Sequence, residues 1–289
     1  MNTILGKFAY AARLVLVSTV AVWPMVGVTG DEGTRLYVLD CGYMDMEDWQ
    51  GFQTFYGFSE SAVAVPAQAN PCFLIIHKGR SLLWDAGLAD MTPSTPVQTE
   101  YGVKFSLKSK LLDQLSALNY PPRKIDYLAL SHLHFDHIGN LEYFVNVKTL
   151  IQRDEWNAAR QAGPNDIGYN KKFHSQLDDF TQLILLDNDL DVFGDGKVRI
   201  VRTPGHTPGH QSLLVHLKQY GSIVISGDAI HFLEELSTPA ETPTNADSVE
   251  HNAALGQLIE MTRDANAELW IQHDPVQNKG RRYAPDFYE

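Results

Sequence analysis

Ile125-Asp126-Tyr127-Leu128-Ala129-Leu130, followed by Ser131-His132-Leu133-His134-Phe135-Asp136-His137, is the stretch on which the reading of this chain turns. The apolar run predicts a strand, and the six residues after Ser131 hold three imidazoles and a carboxylate in a tight loop at its end. Packing does not explain that composition, since a buried core selects apolar volume and a surface loop gains nothing from three histidines at this spacing. Neutral nitrogen and anionic oxygen donors in one small volume suit zinc or a similar divalent ion.

One short segment cannot enclose an ion, so further donors are expected downstream. His206 lies in Thr203-Pro204-Gly205-His206-Thr207-Pro208-Gly209-His210, where alternating Pro and Gly set sharp turns after the strand-like Val198 to Arg202. Asp228 ends the apolar run Ser222 to Gly227, and His273 ends Glu268 to Gln272. Each polar residue stands at the carboxyl end of a predicted strand, where open α/β sheets place their ligands. His132, His134, Asp136, His137, His206, Asp228 and His273 make seven donors, more than one tetrahedral zinc takes from protein. The excess points to two metals sharing a bridging carboxylate, an arrangement suited to activating water for hydrolysis.

These motifs, in this order, resemble the metallo-β-lactamase superfamily. Ser131 to His137 and the run TPGHTPGHQSLL from Thr203 to Leu214 are similar within it to the N-acyl-homoserine lactone lactonases. Leu83-Trp84-Asp85-Ala86-Gly87 and Gln152-Arg153-Asp154-Glu155-Trp156 echo the same family, and the likeness spreads over residues 34 to 289. The resemblance implies an α/β fold of the αββα four-layer sandwich type and a pair of Zn2+ or other divalent ions. His132, His134 and His206 would hold the first ion, and Asp136, His137 and His273 the second, with Asp228 bridging. It further implies that a hydroxide between the ions opens the lactone ring, with Asp136 carrying the proton to the departing alkoxide. Such lactonases commonly carry a tyrosine three residues after the bridging aspartate; here that position is His231, which can donate a similar hydrogen bond from either ring nitrogen. His231 therefore joins Asp136 as a candidate catalytic residue, against the plainer reading that it faces solvent.

The donor set is complete without His210, for which a supporting or structural role is expected. His77, His174, His216 and His251 show no partner pattern and read as ordinary surface or core residues. The 289 residues are 44% hydrophobic and 20% charged, enough for one substantial core, with no linker to divide it. A formal net charge of −12 argues against a nucleic-acid partner, which would require a basic face for phosphates. The expected partner is a small lactone or ester; a homodimer is left open.

Lys7 and Arg13 precede the apolar stretch Leu14 to Val28, which ends before Gly30-Asp31-Glu32-Gly33. This pattern predicts a signal peptide over residues 1–30, a hydrolase domain over 31–289, export to the periplasm or beyond, and no membrane partner after its removal; an uncleaved anchor is the alternative. Cys41 and Cys72 abut neighbouring predicted strands, and in an exported chain they could form a disulfide or stand as two buried thiols.

Strands are predicted at Arg35 to Leu39, Cys72 to His77, Ser81 to Trp84, Ile125 to Leu130, Lys148 to Gln152, Val198 to Thr203, Gln211 to Leu217, Ser222 to Ser226 and Leu269 to Gln272. The spacing of Leu107, Leu111, Leu112, Leu115 and Leu118 predicts a helix ending before Pro121-Pro122, and a second spans Asp247 to Asp264. Two irregular stretches could shape a pocket. Met44 to Ala69 carries Trp49, Phe52, Phe55, Tyr56 and Phe58, whose rings could equally pack under their own loop; Glu234 to Asp247 is rich in Pro and Thr. Hydrolysis of an organophosphate triester, a thioester or a β-lactam is the alternative within the fold. A binding protein or flavodiiron-like redox protein is the alternative outside hydrolysis, and the histidine-rich donor set speaks against the redox reading.

Overall fold

The apolar runs form strands of two sheets, and a computed structural model describes residues 33–48, 50–51, 65–90, 97–98, 103–163, 168–237 and 245–289 of them and their connections. All lie in one compact unit, Glu32–Glu289. The expected export segment 1–30, the rings of Trp49, Phe52, Phe55, Tyr56 and Phe58, and residues 238–244 fall outside the described residues.

The elements, in chain order, are Arg35–Met46 (β1), Ala67–His77 (β2), Arg80–Trp84 (β3), Val97–Gln98 (β4), Val103–Ser106 (β5), Leu111–Ala117 (α1), Tyr127–Ala129 (β6), Lys148–Gln152 (β7), Arg153–Gln161 (α2), Lys171–His174 (α3), Leu183–Leu186 (β8), Leu190–Asp191 (β9), Val198–Arg202 (β10), Gln211–Leu217 (β11), Gly221–Ile225 (β12), Ser248–Asp264 (α4), Ala267–Trp270 (β13) and Pro275–Lys279 (α5). The first sheet has the order β4-β5-β1-β2-β3-β6-β7-β8 and the second β13-β12-β11-β10-β9. Strands β3, β6, β7 and β8 pair in parallel, as do β12 and β13; the remaining neighbours are antiparallel.

Alternation along the strands sorts side chains into three apolar layers. In β2, Cys72, Leu74 and Ile76 pack with Leu111 and Leu115 of α1 and Ala159 of α2, whereas Phe73 and Ile75 point the other way. There they meet Leu213, Val215, Ile223 and Ile225 of the second sheet. On that sheet's far face Leu214 and Val224 pack against Leu255 and Leu258 of α4. Helix, sheet, sheet and helix thus stack as the expected αββα sandwich. Burial on both faces is why these strands read as continuous apolar runs. Each fully buried Leu, Ile or Phe contributes about 1.5–3 kcal/mol over its exposed state.

The differences from the expected elements have local causes. β1 extends past Leu39 to Met46 because a register shift between Asp40 and Tyr43 absorbs Cys41 and Gly42 without ending the strand. α1 begins at Leu111, not Leu107; Leu107 is buried with Met44 and Leu88 in a satellite cluster. The strand expected over Ile125 to Leu130 pairs only through Tyr127–Ala129, since Pro122–Lys124 forms a turn of 3-10 helix before it. Among the described residues no helix is long and apolar enough to cross a membrane.

The disulfide alternative is the one realised: Cys41 and Cys72, with Cα atoms 5.6 Å apart, are joined and buried in the layer between the first sheet and its helices. The bond lies beside the loop after β3, where the Leu88 N–H donates to the Cys41 carbonyl at 3.0 Å. Changing Cys72→Ser is expected to lower the unfolding free energy by about 2–4 kcal/mol in equilibrium urea denaturation without reductant. Adding dithiothreitol to the unmodified protein should reproduce most of that loss.

Candidate metal centre

Every expected donor sits where a strand gives way to a loop at one edge of the sandwich. β6 leads into Ser131 to His137, β10 into Thr203 to His210, β12 into Gly227-Asp228, and β13 into His273. The structure brings all seven together as two groups of potential ligands. His132, His134, His206 and Asp228 form one; Asp136, His137 and His273 form the other. All are buried, none more than 6% exposed.

Asp228 lies between the groups. Its Oδ2 is 3.4 Å from His206 Nε2, 3.7 Å from His132 Nε2 and 3.2 Å from His273 Nε2, while Oδ1 is 3.2 Å from His137 Nε2. Asp136 Oδ2 stands 3.5 Å from Nε2 of both His137 and His273.

The outer face of each imidazole decides what its inner face offers. His137 Nδ1 donates to Asp85 Oδ2 at 2.9 Å, His273 Nδ1 to the Ala69 carbonyl at 2.7 Å, and His206 Nδ1 to Asn245 Oδ1 at 3.3 Å. Each of these rings therefore presents Nε2 to the centre. His137 Nε2 and His273 Nε2 lie 3.2 Å apart, and His206 Nε2 lies 3.1 Å from His134 Nδ1. Nitrogen lone pairs this close repel one another unless a proton or cation lies between them. His132 Nε2 and Asp228 Oδ1, both buried, have no hydrogen-bond partner among the described residues. Converging nitrogens, a shared carboxylate and orphaned buried acceptors fit divalent cations.

The electrostatics agree. Burial holds His132 and His206 well below the usual imidazole range and pushes His134 down to about 3, keeping these rings neutral. For His137, burial also acts downward, but Asp228, Asp136 and Asp85 outweigh it and raise the imidazole well above its ordinary value. His273 is raised by Asp228 and Asp136 against the same burial. A field that favours a proton there also attracts a metal cation. Asp228 is held well below the carboxylate range: burial opposes this, and His273, His137 and His132 overcome it.

His231 is buried at 2% exposure, so the solvent-facing reading fails. Its Nε2 is 3.3 Å from Asp228 Oδ2, and its ring stacks 5.6 Å from that of His273. Glu235, likewise buried, accepts from the His231 and Phe232 N–H groups at 2.8 Å each.

His210 belongs to neither group. Its Nδ1 donates to the Thr203 carbonyl at 2.9 Å, and its Nε2 accepts the Asp228 N–H at 2.8 Å, so it holds the backbone that carries the shared carboxylate. His77 and His216 bond Thr34 and Asp195, and Ser222, respectively. His251 is buried where α4 begins, and a Cβ on Gly205 would lie 2.2 Å from its backbone N. With φ at +131°, position 205 requires glycine on both counts.

Sequence reasoning did not assign a role to Asp85, although it lies in the quoted Asp-Ala-Gly element. Asp85 accepts from the Ser131 N–H at 2.7 Å, the Ser131 hydroxyl at 3.0 Å, His137 Nδ1 at 2.9 Å and Gln272 Nε2 at 2.8 Å. An aspartate directly after an apolar strand run, the signal that flagged Asp228, would have found it. Asn70 and Asn245 carry no such signal, since their partners come from distant loops.

Residues 65–273 match the model of the metallo-beta-lactamase superfamily. The chain belongs to that superfamily. It is 30% identical over 230 residues to the N-acyl homoserine lactonase AttM of Rhizobium radiobacter, covering 75% of this chain and 86% of the relative. With AttM of Azorhizobium caulinodans it shares 32% identity over 235 residues, 76% of this chain and 87% of the relative. A solved N-acyl homoserine lactone hydrolase with the product N-hexanoyl-L-homoserine at its catalytic metal centre superposes with a TM-score of 0.71 at 23% identity, covering 88% of this chain and 99% of that one.

Burial pushes His210 down to about 4, and protonating Nε2 would set an N–H against the Asp228 N–H. Between the unfolded value near 6.5 and about 4, the unfolded chain binds the extra proton, so stability from this residue is full above pH 6.5 and drains away as pH falls. The difference in unfolding free energy between the metal-free protein and His210→Gln should therefore shrink by roughly 3 kcal/mol from pH 6.5 to 4. Urea titrations across that range measure it, and a pH-independent difference contradicts it.

Proposed function

We propose that this protein is a dinuclear metal-dependent hydrolase that opens the lactone ring of N-acyl homoserine lactones and so silences signalling by them. The observation that carries the reading is the convergence of five imidazoles and the Asp136 carboxylate around Asp228. Its support from outside the molecule is the likeness to N-acyl homoserine lactonases over 86–87% of their length.

His132, His134 and His206 would hold one ion, Asp136, His137 and His273 the other, and Asp228 both. Zinc is the ion that this nitrogen-rich set suits, and when bound it polarises a carbonyl and lowers the pKa of water from 15.7 toward about 7. The remaining work falls to the protein. Asp228 keeps the two halves at a fixed spacing through its two oxygens. His231, with its backbone N–H bonded to Glu235, donates to the substrate carbonyl as negative charge builds on that oxygen. In the reaction a water oxygen bonds to the lactone carbonyl carbon and the ring C–O bond breaks. Asp136 takes one of the water's protons and returns it to the departing oxygen, and the other is released to solvent, leaving an acyl homoserine with a free hydroxyl and a carboxylate.

We further infer that the chain acts after export. The amino-terminal pattern supports this, and so does the buried Cys41–Cys72 bond, since such bonds persist in oxidising compartments.

Purified protein is expected to hydrolyse short- and long-chain N-acyl homoserine lactones, to contain two divalent ions per chain, and to lose turnover on chelation and regain it with zinc. Protein that folds, lacks metal and still turns over these lactones would sink the reading. Asp136→Asn should retain metal yet lower kcat by about 100-fold or more, and His231→Phe should lower kcat/KM by about 10–1000-fold. Steady-state kinetics beside metal analysis distinguish both from ligand loss.

A further inference from the structure

Glu155 is fully buried in the first turn of α2, and the reaction described above makes no use of it. An acidic residue there ordinarily serves its own helix's free N–H groups. Here its carboxylate reaches other segments of the chain. Oε1 accepts the Leu133 N–H at 2.8 Å and the Tyr169 hydroxyl at 3.0 Å, and Oε2 accepts the Gly209 N–H at 3.1 Å. These partners lie 22, 14 and 54 positions away in the chain.

Leu133 is the residue between His132 and His134, and Gly209 follows His206 by three positions. One carboxylate therefore ties the loop after β6 in the first sheet to the loop after β10 in the second. The approach is close: a Cβ on Gly209 would lie 2.1 Å from the Glu155 backbone N. Tyr169 extends the tie, since its ring stands edge-on to His134 at 5.2 Å, the two residues pair as an isolated bridge, and the Phe135 N–H donates to the Gly168 carbonyl at 3.2 Å.

The other group hangs on different supports. His137 is held by Asp85, His273 by the Ala69 carbonyl, and the Asp136 backbone by Asn70, whose Nδ2 donates to its carbonyl at 2.6 Å. Asp85 does not bond His132 directly; it accepts the N–H and the hydroxyl of the preceding Ser131, whose hydroxyl lies 3.0 Å from His132 Nδ1.

We propose that Glu155 is a positioning residue for one ion alone, holding His132, His134 and His206 in register across the two sheets while leaving the ion at Asp136, His137 and His273 to its own supports. The proposal rests on the reading that the centre holds two ions. Glutamine at 155 keeps the shape but sets an NH2 group where an acceptor stood, so at least one of the three donors loses its partner.

Zinc titration of apo protein by calorimetry, with anomalous diffraction at limiting zinc to locate each ion, tests it. The unmodified protein should take up two ions. Glu155→Gln should weaken the ion at His132, His134 and His206 by about 10–100-fold and leave the other within about threefold. Tyr169→Phe, which removes one hydroxyl and keeps the ring, should shift the same ion in the same direction by less. Equal weakening of both ions, or of neither, overturns the proposal. If Glu155→Gln does not fold, Tyr169→Phe decides on the same criterion. Failure of the unmodified protein to bind two ions would instead refute the dinuclear reading itself.

Discussion

The fold must hold five imidazoles and two carboxylates in a dry space a few ångströms across. Each of these groups is costly to bury without a partner, and the imidazole nitrogens that face inward repel one another. A shared cation resolves both difficulties, and Asp228 is placed so that its two oxygens serve both halves of the cluster, Oδ1 beside His137 and Oδ2 beside His206. Such an arrangement is stable only if the rings cannot turn away. Asp85, the Ala69 carbonyl and Asn245 prevent that by engaging the outer nitrogens of His137, His273 and His206.

The sandwich explains how loops far apart in sequence reach that geometry. Two sheets packed face to face through Phe73, Ile75, Leu213, Val215, Ile223 and Ile225 give a core that side chains cannot easily deform. Loops leaving one edge of that core inherit its rigidity. The first sheet sends out the loops carrying Asp85 and the His132 to His137 segment; the second sends out those carrying His206, Asp228 and His273. Contacts that cross between sheets, such as Gln272 to Asp85 at 2.8 Å and the Gln211 N–H to the Ser131 carbonyl at 2.9 Å, set the separation of the two halves.

Much of this was legible in the chain because the donors are chemically unusual and each follows an apolar strand run. A His-x-His-x-Asp-His segment has no packing explanation, so its meaning survives without knowledge of the fold. The supports were harder to read. Glu155 sits in a helix first turn where acids are ordinary, and only the folded chain shows its bonds going to Leu133 and Gly209. His210 could be set apart from the ligands by counting donors, but its bond to the Asp228 N–H depends on a turn that spacing does not reveal. The pairing of Cys41 with Cys72 depends on a register shift in β1, a feature of strand geometry and not of composition. α5 was missed although Asp274-Pro275 is a helix-start signal, and the Asp274 side chain does accept the Gln277 N–H at 2.7 Å.

The turns around His206 also bear on how such a protein diversifies. At Gly205 and Gly209 even one added carbon would meet the backbone of His251 or Glu155 within 2.2 Å, so neither position has room for a heritable change in side chain. Changes that admit bulkier or differently shaped esters are therefore expected at positions other than these two glycines. The innermost scaffold would then pass unchanged from one specificity to the next.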